Sequence, residues 1–315
     1  MSGLDSILNR QQPSAWDRFT SSPLLFLARW VYYTGNSTTA LPPPKTDSVR
    51  VVCISDTHNT HRAQPALPDG DILIHAGDLT QSGTVEELDD VLAWLAEQPH
   101  PHKLFIAGNH DVALTSPDIH ERIPSGLTYL EDSATEVSVR GRTLRVYGSP
   151  HTPKQGSWPF QYPRIRPTSF SPSPREQANE LWSSIPPATD ILITHGPPMA
   201  HLDVNNYGCY ALLHAVRHIR PRLHVFGHIH GGRGVECVHW DPAQMVYEEI
   251  CAGRAGWGGL ARLLWNRLVT WIWGTGSSQI TDLVNAAAVG GRGIRDDQRK
   301  GAIVVQICLI ASPMH

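Results

Sequence analysis

The sequence predicts an α/β fold, and three observations carry the prediction. Six short apolar runs, rich in β-branched and aromatic residues, are each closed by glycine or a polar residue, as strands are. A strongly amphipathic helical pattern lies between two of them, at residues 84–98. Strand-like and helix-like segments alternate, which implies helices packed on sheet.

The elements follow in order. Residues 1–48 read as an N-terminal appendage. Residues 24–33 are apolar, and 34–48 (TGNSTTALPPPKTDS) form a polar, proline-rich linker. The main domain, 49–310, opens with VRVVCIS, which ends at Asp56. DILIHAGD then ends at Asp78, KLFIAGNHD at Asn109 and His110, LRVYGSPH at His151, DILITHG at His195, and LHVFGHIH at His228 and His230. Runs this short and apolar read as strands buried on both faces. In TVEELDDVLAWLAEQ, Thr84 and Glu87 make a capping box, and Val85, Leu88, Val91, Leu92 and Leu95 share one helical face. ALLHAVRHI (211–219) is a second, weaker helix. After Gly232 the pattern becomes strand-like, with VECVHW and MVYEEI, and two more strands, DLVNAAAV and GAIVVQICLI, end the chain. Residues 167–175 read as a polar loop. An apolar insertion, 256–274, places Leu260, Leu264, Leu268, Trp271 and Ile272 at helical spacing.

Composition narrows the function. A net charge of −3 gives no basic footprint for nucleic acid, and no Lys/Arg run supports a nuclease groove. Five cysteines without a C-x-x-C pair fit neither a disulfide framework nor a zinc–thiolate site, so a reducing compartment is expected. The apolar run at 24–33 starts late, lacks a basic region before it and contains Arg29, unlike a secretory signal. A cytoplasmic protein follows. The segments 23–33 and 256–274 either pack on the domain or on each other, or pair into one apolar surface that serves as a lid or a membrane-facing patch, since apolar helices edged with tryptophan and arginine also lie in interfaces.

The seventeen histidines are the unusual feature of the composition, and the order of a few of them carries the chemistry. Asp56, Asp78, Asn109, His195 and His228 each lie just past the C-terminal end of a predicted strand, the edge at which open α/β sheets bind ligands. Asp-x-His at 56–58 and Gly-Asp at 77–78 are weak signals alone. Gly-Asn-His-Asp at 108–111 and Gly-His-Ile-His at 227–230 are stronger, and the ordered set is specific.

That set, with SDTHN, GDLT, AGNHD, YGSPHTP, THGPP and FGHIHGGRG around it, resembles the calcineurin-like metallophosphoesterases, most closely the MPPED-type (metallophosphoesterase-domain-containing) branch. The resemblance implies a four-layer α-β-β-α sandwich in which the late strands complete the second sheet. It also implies two metal ions: Asp56, His58 and His230 hold one, Asn109, His195 and His228 the other, and Asp78 bridges. Imidazole, carboxylate and amide oxygen suit manganese first, with iron, zinc or magnesium as alternatives. Two such ions lower the pKa of a bridging water to about 7, and only two ligand carboxylates leave net positive charge for a phosphate.

The expected activity is phosphoester hydrolysis, phosphodiesters and cyclic nucleotides before others, by attack of a dimetal-bound hydroxide. A phosphomonoesterase or protein phosphatase, or a non-catalytic interaction protein on the same fold, are the alternatives. His110 would protonate the leaving oxygen as general acid, with Asp111 either holding its ring or capping a turn. His151 and Arg233 are candidate substrate contacts. Trp158 and Phe160 either stack a nucleobase or pack a loop.

Overall fold

The computed structural model describes residues 14–35, 48–165, 176, 180–204, 206–273, 279–290 and 299–308. Most of the proline-rich linker (36–47) and the polar loop 167–175 lie outside the described residues. Two helices come first, α1 (Ala15–Ser21) and α2 (Pro23–Gly35). Next come β1 (Ser48–Ile54), β2 (Ile72–Ala76), α3 (Val85–Glu97), β3 (His102–Ile106), α4 (Pro117–His120) and β4 (Leu127–Tyr129). The second half holds β5 (Ser133–Val139), β6 (Arg142–Ser149), the short pair β7 (Thr152–Pro153) and β8 (Gln161–Tyr162), β9 (Ile191–Thr194), α5 (Tyr210–Ile219), β10 (Leu223–Phe226) and β11 (Gly234–His239). The chain ends through α6 (Pro242–Cys251), α7 (Trp257–Trp273), β12 (Ile280–Asn285) and β13 (Ile303–Cys308).

Two mixed sheets stand face to face. The first has the order β13-β1-β2-β3-β4 and the second β11-β12-β10-β9-β6-β5. Strand period explains the layering. Val49, Val51 and Cys53 of β1 join Ile72, Ile74, Val146, Ile191 and Val225 in the core between the sheets. Val52 and Ile54 point the other way, onto Leu88, Val91, Leu92 and Leu95 of α3. Helix α5 covers the outer face of the second sheet through Leu212 and Val216. This is the four-layer α-β-β-α sandwich.

The late strands divide. β11 and β12 complete the second sheet, whereas β13 returns to pair antiparallel with β1 in the first. MVYEEI is no strand: it lies within α6. Asp241 caps that helix by accepting from Gln244 N (2.7 Å), and Pro242 starts it. Ala243, Val246, Tyr247 and Ile250 then fall on one helical face, so a strong start signal overrides the β-rich residue types.

The two apolar segments pack together as a helical layer outside the sandwich. Tyr32 of α2 stacks on Tyr247 of α6 (3.8 Å between ring centroids, 8° between planes), and Arg267 of α7 donates to the Tyr32 carbonyl (3.2 Å). Beneath them lies a buried polar network. His201 Nδ1 is 2.7 Å from Glu236 on β11, and its Nε2 is 3.1 Å from Glu248 on α6. The Tyr32 hydroxyl is 2.9 Å from Glu236, and Arg217 of α5 pairs with Glu248. Two cations and two carboxylates balance there. Burial alone would lower the His201 pKa, but Glu236 and Glu248 raise it to about 10, and Asp203, His224 and Tyr247 are its further neighbours.

A folded-state pKa above the ordinary 6.5 stabilises the fold fully below pH 6.5, and that contribution disappears as pH rises toward 10. The expected slope is at most about 1.4 kcal/mol per pH unit. Denaturant unfolding at pH 6.5, 8 and 10 checks this. His201→Gln should flatten the fall, and an identical slope in wild type and variant would refute the assignment.

Candidate metal centre

The strand ends of both sheets meet at one edge. The first sheet delivers Asp56, His58, Asp78 and Asn109, and the second delivers His195, His228 and His230. The sheets are tied there by backbone: Ser55 N donates to Ala286 O (3.1 Å) and Ala288 N to Ser55 O (2.7 Å). Asp56, His58, Asp78 and His228 all have positive φ, between 42° and 64°, a strained backbone for non-glycine residues that clusters at functional sites. The glycines of the motifs let the loops close. A Cβ on Gly227 would stand 2.0 Å from the Asp56 carboxylate, and one on Gly108 would stand 2.3 Å from that of Asp78.

The seven predicted ligands converge. Ligand atoms of Asp56, His58 and His230 lie within 4.8 Å of one another, as do those of Asp78, His195 and His228. Asp78 Oδ2 is 3.7 Å from His58 Nε2 and 3.2 Å from His195 Nε2. Asn109 Oδ1 is 3.2 Å from His195 Nε2.

Hydrogen bonds test whether a cation fits. His195 Nδ1 donates to Ala76 O (2.9 Å) and His58 Nδ1 to Thr80 O (3.2 Å), because a carbonyl only accepts. In neutral rings the lone pairs are therefore on the Nε2 atoms, which face carboxylate and amide oxygens. Such a cluster of acceptors is satisfied only by protons or by a cation, and a second nitrogen fixed by a carbonyl is how metal-binding histidines are oriented. Without a cation, burial opposes and Asp78 and Asp56 favour the charged form of His195, whose pKa rises to about 9. Burial would raise the Asp56 pKa, but His230, His195 and His58 hold it far below the usual carboxylate range. These donors suit a divalent metal.

A cleft of about 490 Å³ opens over this edge, lined by His58, Asp78, Asn109, His110, His228 and His230, and also by Gln155, Trp158, Gln161, Arg164 and Tyr207. His110 is anchored through its backbone N–H to Asp78 Oδ1 (2.8 Å) and through Nδ1 to Gln81 O (2.8 Å). In the neutral ring the latter bond leaves the Nε2 lone pair unshared. His110 also falls within 4.8 Å of ligand atoms of His58 and Asp78, so it stands at the border of the ligand set. Trp158 stacks on its ring (4.5 Å, 25°).

Three expectations need correction. Asp111 does not hold the His110 ring. Its buried carboxylate accepts from Leu79 N, Thr80 N, Thr80 Oγ1 and Gly108 N, clamping the two ligand loops together. Burial, with Asp78 alongside, pushes its pKa up to about 6. Arg233 does not line the cleft, and its guanidinium donates to the carbonyls of Ala286, Ala287, Lys300 and Gly301. It braces the chain segment behind the site. His151 does not line the cleft. It pairs with Asp132 (2.9 Å), which, ahead of opposing burial, raises its pKa. Phe160 packs against the core under α3. Sequence reasoning missed Arg164 and Tyr207. Both sit in irregular segments without a motif, and only folding brings them to the cleft, where Arg164 donates to the Tyr207 carbonyl (2.9 Å).

The family model for calcineurin-like phosphoesterases matches residues 49–232. Over 318 residues the chain is 47% identical to a protein of Emericella nidulans named "Probable rhamnogalacturonate lyase C", covering 96% of this chain and 29% of that protein. It is 41% identical over 217 residues to human "Metallophosphoesterase domain-containing protein 1", covering 59% of this chain and 62% of that one. The chain thus spans less than two thirds of the length of these relatives. A solved structure, that of TT1561 from Thermus thermophilus, aligns with a TM-score of 0.41 at 13% identity, over 61% of this chain and 84% of that one.

Proposed function

The chain belongs to the calcineurin-like phosphoesterase family, in its metallophosphoesterase-domain-containing branch, and on that premise we propose that it is a metal-dependent hydrolase of phosphodiesters. The observation that carries the reading is the pair of carbonyl-fixed histidines, His58 and His195, whose Nε2 atoms both face Oδ2 of Asp78. Asp56, His58 and His230 would hold one divalent ion and Asn109, His195 and His228 the other, with Asp78 between them. Manganese leads for this donor set, with iron, zinc and magnesium behind it. Bound there, the ions supply Lewis acidity and a water acidic enough to react at neutral pH.

The residues of the chain do the rest. Asp78 orients both halves of the ligand set and anchors the His110 backbone. Asp111 keeps the loops at 79–80 and 108 in register. His110, charged, would donate from Nε2 to the departing oxygen. Trp158 and Tyr207 offer flat faces beside the reacting edge, and Arg164 adds positive charge. That wall suits a nucleotide, and a cyclic nucleotide is the substrate proposed first. The reading also includes peripheral membrane contact through residues 23–33 and 256–274.

A panel of diesters and monoesters, run on metal-stripped protein with Mn²⁺, Fe²⁺, Zn²⁺ or Mg²⁺ added back, tests the proposal. Metal-restored turnover with diesters ahead of monoesters is the expected result. Monoesters ahead would move the assignment to a phosphomonoesterase. No turnover with any ion, despite tight binding of two equivalents, would leave a binding protein.

A further inference from the structure

We propose that α1, α2 and α7 form a face that docks on an anionic lipid surface. This deepens, and rests on, the membrane contact included in the proposed function. Helix α7 is apolar on both sides. Gly259, Leu260 and Leu263 are buried against the layer of α2 and α6. On the opposite side Trp257, Leu264, Trp265, Leu268, Trp271 and Ile272 recur at the spacing of a single helical face, and each is at least 46% exposed, Trp271 reaching 83%. Arg262, Asn266 and Thr270 lie between these two apolar faces, and among the described residues only one of the two is covered. Trp16 on α1 and Trp30 on α2 are also exposed, at 69% and 60%.

Two features select lipid as the cover. Tryptophan dominates the surface, and its flat ring with one N–H donor belongs at the boundary between headgroups and acyl chains. The charge is also complementary. Arg18 and Arg262 are exposed on these helices against Asp17, whereas Arg29 and Arg267 are turned onto Asn206 and the Tyr32 carbonyl. At 17 residues α7 is too short to cross a bilayer, and among the described residues no helix is long and apolar enough to do so. Its geometry is that of a helix lying in the interface plane.

The face is joined to the cleft. Arg29 donates to Asn206 Oδ1 (3.1 Å), and Asn206 Nδ2 donates to Cys251 O (2.8 Å). The next residue, Tyr207, lines the cleft and binds Arg164. Docking would hold the mouth of the cleft in a fixed relation to the lipid surface.

Full-length protein mixed with phosphatidylcholine vesicles, or with vesicles in which phosphatidylserine replaces part of that lipid, tests the proposal. Expected are co-sedimentation with the anionic vesicles, a blue shift of tryptophan emission, and weakening as salt screens the charges. The double variant Trp265→Ser/Trp271→Ser should lower partitioning by on the order of tenfold or more, and Arg262→Glu should reduce the preference for phosphatidylserine. These positions are exposed, so melting temperature serves as the control for folding. Wild-type protein that binds neither vesicle, or a double variant that binds as well as wild type, overturns the proposal. So does concentration-dependent dimerisation that the double variant abolishes while vesicles stay free, which would make a second copy the cover. Turnover of a soluble diester without vesicles is read separately. Its absence, with vesicle binding intact, overturns the hydrolase reading and leaves docking standing.

Discussion

Asp78→Ala should abolish turnover to within measurement, a loss on the order of 10³-fold or more, and should leave less than one equivalent of tightly bound metal. Asp78 is the residue whose carboxylate faces histidines from both halves of the site, at 3.7 Å from His58 and 3.2 Å from His195. Its other oxygen accepts from the His110 backbone, so one substitution would disturb both proposed metal positions and the loop at 108–111. Asn109→Ala removes one neutral donor near His195 and should cost less of both rate and metal. Turnover and metal content measured on the two variants decide the matter. If Asp78→Ala keeps two ions and a near-normal rate, Asp78 is no bridge.

His110→Ala should slow an alkyl or ribose phosphodiester by roughly 10²–10⁴-fold and a nitrophenyl ester much less, with both metals retained. An alkoxide needs a proton as it leaves, whereas a nitrophenolate departs without one. The His110 ring lines the cleft with Nδ1 held by Gln81 O, so Nε2 is the atom from which the proton would come. Equal losses on both substrates would assign His110 to stabilising the phosphoryl group itself. Loss of an ion would place it among the ligands, where its proximity to His58 and Asp78 also allows it to stand. Asp111→Asn, by contrast, should show little leaving-group selectivity. Its carboxylate holds backbone N–H groups of both loops and does not touch the imidazole, so the effect expected is a lower melting temperature.

Membership of the family was legible in the order of a handful of polar residues, and most strands in the apolar runs before them. The reason is local. A strand buried on both faces is mostly apolar, with His75 and His224 among the exceptions here, and polar residues gather past its C-terminal end, so Asp56, Asp78, His195 and His228 stand out by contrast. Where local signals compete, the reading failed. MVYEEI has β-rich residue types, but Asp241 and Pro242 start a helix there, and packing of Tyr247 on Tyr32 completes it. The apolar spacing of α7 was visible, but which face would be buried was not.

By itself, then, the sequence determined the α/β class, the sandwich through its family resemblance, and the candidate ligand set, because these depend on residue type at strand ends. The tertiary structure alone decided the tasks of polar residues beside the ligands and between the motifs. Arg233 and Asp111 bind backbone, since four carbonyls meet the one and four donors the other. Arg164 and Tyr207 reach the cleft from loops distant in sequence, and Trp265 and Trp271 are left facing outward. Hydrogen-bond partners and exposure are properties of what the fold brings near, and residue type and spacing do not encode them.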